Sequence, residues 1–435
     1  MNNSVQSSPS TAADRDHKKE PLAGAFFWVL AFFVVYCARP EDWIPGVAHL
    51  HLALVAGVFA MIAFVMSLGR MKEGLPKEIF YLILLLVQLS LASILSPVWK
   101  GNAVAQTIEF AKMVLIVVVI TLAVASLARL RKLIFVQTAS VVAVAIISIK
   151  SGHLVNGRLF GALNGMYSNP NDLAIALVLS LPLCLVFLFR AKGVLRKLVW
   201  TAAVLTMIFS IFRTGSRSGF IALTIVGLFC IWDFGIKGRR LYLPVLAVVV
   251  ATAAFMLAGS EVAQRLSNTF SAGGKQGTAY GSTLARKQLL IRSLEVTAEH
   301  PLFGVGPGDF QAISGHWQPT HNVYTALSSE GGIPALILFL MIYWRAFGNL
   351  RRVRNFEAAD SELGMFASAM RASLWAFAVA GPFFPDAYQY FVYFMFVFTT
   401  ILCRLVDQKG APQIRHSWAF AERPKVATPA GMSAR

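Results

Sequence analysis

The stretch LAIALVLSLPLCLVFLF, residues 173–189, decides the fold. Seventeen residues pass without a charge between Asp172 and Arg190. At 1.5 Å per residue a helix of that length covers most of a bilayer's hydrocarbon core, which needs about 20 predominantly apolar residues. Working outward from it, similar runs are centred near residues 29, 58, 88, 118, 141, 181, 205, 227, 250, 334, 374 and 397. Composition agrees, with 57% of the 435 residues hydrophobic and only 14% charged. An average soluble domain carries about 25% charged residues, so the apolar excess is more than globular cores hide, and a purely soluble enzyme is excluded. The expected fold is an all-α polytopic membrane protein of about twelve transmembrane helices.

The net charge of +18 suggests nucleic acid in a soluble chain, but here its distribution matters more. With the amino terminus inside, 26 of the 39 Lys and Arg fall on the inner side and 11 on the outer, with Lys112 and Arg371 inside spans. That asymmetry is what the positive-inside rule requires, and it puts both termini in the cytoplasm. The basic residues are dispersed in short loops with no Cys/His finger, so nucleic acid is not an expected partner. The first twenty residues are polar and mixed in charge, and Arg39-Pro40 after the first span is unlike a cleavage site, so no signal peptide is expected to be removed. The expected organisation is a cytoplasmic tail (1–20), helices 1–9 (21–258), one outer loop (259–320), helices 10–12 (321–405) and a cytoplasmic tail (406–435). Cys37, Cys184, Cys230 and Cys403 lie in or beside apolar runs, far apart, as small packing residues.

The outer loop is far longer than the 2–8 residues that usually join packed helices. Within it, residues 283–299 form an expected amphipathic helix. With Arg286 at zero on a helical wheel, Leu290, Ile291, Leu294 and Ala298 fall between about 40° and 140° and form an apolar stripe, for the bilayer or for the spans. Arg292 falls opposite the stripe with Glu295 and Glu299, towards solvent. Pro301-Leu302-Phe303-Gly304-Val305-Gly306-Pro307-Gly308 then turns the chain back to the membrane.

Positive residues on the outer side need a local reason. Arg158, Arg213, Arg217 and Arg286 lie near span ends or on the loop helix, and Arg213-Thr214-Gly215-Ser216-Arg217-Ser218-Gly219 is a whole connection between two spans. A planar guanidinium bonds phosphate oxygens in pairs and keeps its proton, so these arginines could form an anion site; the alternative is that they anchor to phospholipid headgroups. His321, in Pro319-Thr320-His321-Asn322-Val323-Tyr324, stands where the loop re-enters the membrane, as a candidate general base or a simple interfacial anchor. His316 with His321 lacks further ligands for a metal site. Glu330 precedes a Gly-Gly pair expected to break the span, and its expected role is to satisfy polar groups within the bundle. Glu109 and Lys112, one turn apart, are expected to neutralise each other, while Arg371 is an intramembrane charge of open role. There is no phosphate-binding Gly-x4-Gly-Lys loop, no Gly-x-Ser-x-Gly elbow and no His-Glu-x-x-His.

The Ser216-Arg217-Ser218-Gly219 turn, the loop helix ending in the Gly-rich turn, and His321-Asn322-x-Tyr324 followed by Glu330-Gly331-Gly332-Ile333 together resemble the bacterial O-antigen ligase and polymerase superfamily. Met166-Tyr167-Ser168-Asn169-Pro170-Asn171-Asp172 is also similar to that family's pattern, and Arg39-Pro40-Glu41-Asp42-Trp43 looks like members associated with exopolysaccharide or exosortase systems. The resemblance covers about residues 150–345. It implies an enzyme of the inner membrane whose long loop is periplasmic. This enzyme would transfer a glycan from undecaprenyl pyrophosphate to an acceptor hydroxyl on a glycan, lipid or protein, as in lipopolysaccharide assembly, without metal, nucleotide or other cofactor. By the same implication Arg217 and Arg286, and more loosely Arg158, bind pyrophosphate and His321 accepts the acceptor's proton, with Arg213, Asn322 and Glu330 as possible supports. A polymerase using the same donor is the near alternative. A polysaccharide or lipid transporter would also use twelve spans, but it should show matching broken spans in its two halves and needs no long loop. A noncatalytic scaffold has little use for clustered Arg and His at one interface.

Overall fold

The computed structural model describes residues 22–44, 46–66, 75–155, 158–161, 167–258, 278–384, 387–388 and 390–418. Both sequence-derived tails in large part, residues 259–277 of the long loop, and Met166 of the Met-Tyr-Ser-Asn motif lie outside them. The apolar helices are α1 (Ala23–Ala38), α2 (Leu52–Val65), α3 (Lys77–Ile94), α4 (Lys100–Ala123), α5 (Leu127–Ser151), α6 (Pro170–Arg190), α7 (Val194–Thr214), α8 (Arg217–Cys230), α9 (Tyr242–Ala258), α11 (Val323–Phe356), α12 (Glu362–Ala380) and α13 (Tyr390–Trp418), with α10 (Thr278–Glu299) in the long loop. Among the described residues nine are long and apolar enough to cross a membrane, α8 through its π-helical extension Ile231–Ile236, and α1, α2 and α9 are shorter apolar helices. The protein is an all-α polytopic membrane protein.

Side-chain oxygens set several helix starts. Ser126 accepts from Arg129 N, Asn169 from Asn171 N, Ser216 from Gly219 N and Ser361 from Gly364 N, each satisfying a donor that has no partner within its helix. Packing then sorts the helices. Most of α6, α12 and α13 is buried within the bundle, whereas α7 leaves most of its surface outside. Exposed apolar side chains such as Trp344, Met256 and Val194 mark the lipid-facing surface. At one end of the bundle a short hairpin, β1 (His153–Val155) and β2 (Arg158–Phe160), pairs Val155 with Arg158 in antiparallel register. The hydrophobic pattern does not foretell a hairpin this short.

At the opposite end, ion pairs hold the helices together. Glu78 on α3 accepts from Arg345 and Asn349 on α11, and Glu362 on α12 accepts from Arg131 on α5. Arg371 pairs with buried Asp233 in the π-helical turn, where Arg354 also approaches at 3.4 Å, so the intramembrane arginine is a helix tie. Glu109 and Lys112 pair at 2.6 Å, as their spacing suggests.

Candidate functional site

The site lies at the hairpin end and rests on a break in α11. Gly332 has φ 80° and ψ 169°, which interrupts that helix and frees its carbonyls. The Gly-rich turn before it supplies donors. Val305 N donates to Ser329 O and Gly306 N to Glu330 O, both at 2.9 Å, while Ile333 N donates to Pro301 O at 2.8 Å. Gln88 on α3 donates to both Leu302 O and Gly331 O. Backbone pairing this close needs glycine: a Cβ on Gly304, at φ 63°, would sit 2.5 Å from the Glu330 carbonyl carbon. Glu330 is buried and accepts from the Tyr388 hydroxyl at 2.9 Å, which is the bundle role expected of it. Asp309, which the sequence reading did not single out, anchors the far end of the turn. Wholly buried, it accepts from Ser96 Oγ, Trp99 N and Asn102 Nδ2 at the α3–α4 junction. A lone carboxylate directly after a Gly-Pro-Gly turn was the available signal.

The loop helix α10 lies against α11, where Thr297 bonds Ser328 at 2.9 Å, while its buried Leu289 and Val296 pack with Val305, Phe310 and Ile313 of the turn that follows it. The stripe of Leu290, Ile291 and Leu294 is exposed, so it is available to the bilayer and is not packed on the spans. Arg286 lies between the two faces, since Leu289 and Val296 fall about 60° to 80° to one side of it at 100° per residue. Arg292 bonds Glu295 and Glu299 on the outer side, as expected.

The seven residues of the Arg213–Gly219 turn are positioned by close packing. Gly215 takes the left-handed conformation (φ 55°), Ser216 caps α8, and a Cβ on Gly219 would lie 2.7 Å from that of Ala174 on α6. Arg217 is therefore fixed at the first position of α8, where the helix dipole also favours an anion. Arg158 donates from Nε to Thr214 O and from Nη2 to Asn171 Oδ1, both at 3.0 Å, and Ser216 Oγ donates to the same Asn171 oxygen at 2.8 Å. Arg158 thus ties the hairpin to α6 and α7 and positions the turn. Arg213 is half-buried in the last turn of α7.

Arg217, Arg286 and His321 are brought together. Burial first, and the Arg217 charge second, lower the Arg286 guanidinium below its ordinary value. Among the described residues Arg286 has no acidic partner. Burial first, and the Arg286 charge second, push the His321 imidazole down from 6.5 to about 4. His321 is therefore neutral at pH 7. Its backbone is left-handed (φ 52°), which is costly for a residue with a Cβ and recurs at functional sites. Its Nδ1 is buried with no hydrogen-bond partner among the described residues. Asn322 caps α11 by accepting from Tyr324 N and Thr325 N, so its side-chain oxygen is committed to the backbone. His316 is exposed, and among the described residues no three His, Cys, Asp or Glu side chains converge to hold a metal.

The protein is thus a helical membrane protein in which two guanidinium groups and a neutral histidine lie near one another at one end of the bundle. Residues 202–340 match the family model for O-Antigen ligase, which covers about a third of the chain and contains Arg213, Arg217, Arg286 and His321. That match supports placing residues 202–340 with the O-antigen ligase and polymerase superfamily, whose general activity is glycan transfer of the ligase or polymerase type. No curated protein matches the chain.

Proposed function

We propose that this protein transfers a glycan from undecaprenyl pyrophosphate to an acceptor hydroxyl at the periplasmic face of the inner membrane, without a metal. The observation that carries this reading is the convergence of Arg217, Arg286 and the neutral His321. Two like charges held close in a half-buried site repel each other, and an anion placed between them relieves that repulsion, so the site favours a diphosphate over a neutral ligand. The acceptor oxygen attacks the anomeric carbon as the bond from that carbon to the pyrophosphate oxygen breaks. The electron pair leaves with pyrophosphate, whose growing charge Arg217 and Arg286 stabilise. His321 takes the hydroxyl proton, and a single displacement inverts the anomeric centre.

The deciding experiment is in vitro transfer from purified lipid-linked donor with EDTA present, with product stereochemistry read by NMR. Retained configuration or loss of activity on chelation would contradict the mechanism. Ligase and polymerase share this donor and separate in cells. Loss of a ligase leaves long chains on the carrier lipid, whereas loss of a polymerase leaves single repeats.

A further inference from the structure

A second site lies at the other end of the bundle. A cavity of about 660 Å³ opens there among the first turns of α5, α7 and α12 and the last turn of α6. It is about 28 Å from the Arg158–Asn171 contact, counting α6 from Asn171 to Arg190 at 1.5 Å per residue. Its volume is within the range of about 300–1,000 Å³ typical of ligand pockets. Arg131, Lys132, Arg190, Lys192 and Arg196 line it, against a single carboxylate, Glu362. That carboxylate is already shared. Arg131 grips it with two nitrogens and Arg190 reaches it at 3.5 Å, so Lys132, Lys192 and Arg196 have no acidic partner among the described residues.

The floor of the cavity is aromatic. Phe187 and Trp200 stack at 4.9 Å, and Phe135 meets both rings edge-on at 5.7 and 5.8 Å. Beyond the mouth, the first turns of α7 present Val194, Leu195, Leu198 and Val199 outward, each 60% to 75% exposed. Surplus positive charge, an aromatic floor and a bare apolar flank match the two halves of an amphiphile. Inorganic phosphate would use only the first of these features. Basic pockets between transmembrane helices hold lipid headgroups by this combination of charge and contact.

We propose that this cavity binds the headgroup of an anionic phospholipid, whose phosphate is held by Lys192, Arg196 and Lys132 while its acyl chains lie along the apolar face of α7. Binding would hold α5, α6, α7 and α12 together at the end of the bundle away from His321. Nothing in this assignment depends on the reaction at the other end.

The test is native mass spectrometry of the full chain in mild detergent, titrated separately with phosphatidylglycerol, phosphatidylcholine and inorganic phosphate. One phosphatidylglycerol should bind tightly, and the double variant Lys192→Ala/Arg196→Ala should weaken it at least tenfold. Both side chains are exposed, so thermal unfolding without added lipid should be unchanged, separating lost binding from lost folding. Lys197→Ala, next to the cavity but not lining it, should bind as the parent does. Equal affinity for phosphatidylcholine would overturn the proposal, as would an equal loss in Lys197→Ala. Displacement of phosphatidylglycerol by inorganic phosphate at matching concentration would overturn it too, because the site would then be one for soluble phosphates.

Discussion

The proton affinity of His321 is the property most open to measurement. With its midpoint at about 4, the imidazole of the free protein is about 90% neutral at pH 5, whereas an unperturbed group of pKa about 6.5 would be only about 3% neutral there. Transfer kcat/KM, which reports the free enzyme, should therefore be nearly level from pH 8 to pH 5, and an unperturbed base would lose about thirtyfold over that range. The sign follows from the neutral form being the active one, so activity falls only as pH drops through the lowered midpoint. Replacing Arg286 by Gln removes the second of two causes. Burial, the larger, remains, so the midpoint should rise by less than half of the gap to 6.5, or up to about one pH unit. Bound pyrophosphate should raise it further, because its negative charge offsets the arginines. Diethyl pyrocarbonate acylates neutral imidazole, and peptide mass spectrometry of labelling at His321 against pH gives the midpoint in the absence of turnover. A parent midpoint near 6.5, unmoved in Arg286→Gln, would refute the electrostatic picture and with it the close approach of Arg286 to His321.

Further substitutions separate roles within the same end of the bundle. Arg217→Lys and Arg286→Lys should each lose most transfer activity, since an ammonium cannot form the two-pronged contact, while Arg292→Lys should keep it; a transfer assay in membranes with matched expression decides. His321→Ala should lose roughly 10² to 10⁴ in kcat yet retain lipid-linked donor in a binding assay, with His316→Ala mild in both. Gly304→Ala should lower the thermal unfolding midpoint markedly, since left-handed strain and the clash with the Glu330 backbone together cost about 2–5 kcal/mol. Gln318→Cys, on an exposed stretch of the loop, should react with an impermeant thiol reagent in intact cells; labelling only after lysis would reverse the proposed orientation.

The membrane helices were legible because each carries its own signal, a long apolar run that needs no partner to be recognised. The break in α11 was legible for a similar reason, since Gly331-Gly332 before Pro334 weakens a helix wherever it occurs. Features that depend on two distant segments were not. Arg371 finds Asp233 only because a π-helical turn sets the register at the end of α8. The buried face of α10 includes Ser293, a polar residue that an apolar wheel does not select, and its apolar members Leu289 and Val296 are covered by Val305 and Phe310 from the turn and short helix that follow. The same holds for Asp309, whose three donors come from residues more than 200 positions earlier.

The site residues fall between these cases. Arg217, Arg286 and His321 could be nominated one at a time, as charges placed where charge is disfavoured. Their joint chemistry could not, because the lowered proton affinity of His321 arises from burial by one segment and from a charge carried by another. A base with so low a midpoint is weak in the free protein, and its proton affinity comes closer to its task only when an anion neutralises the arginines beside it. On the proposed mechanism donor binding and base activation are one electrostatic event, in which the pyrophosphate that leaves would also raise the proton affinity of His321. In Arg286→Gln the apparent pKa of His321 should accordingly respond less to added undecaprenyl pyrophosphate than in the parent, because there is less positive charge left to neutralise. An equal response in both proteins would mean that the donor does not act on His321 through Arg286.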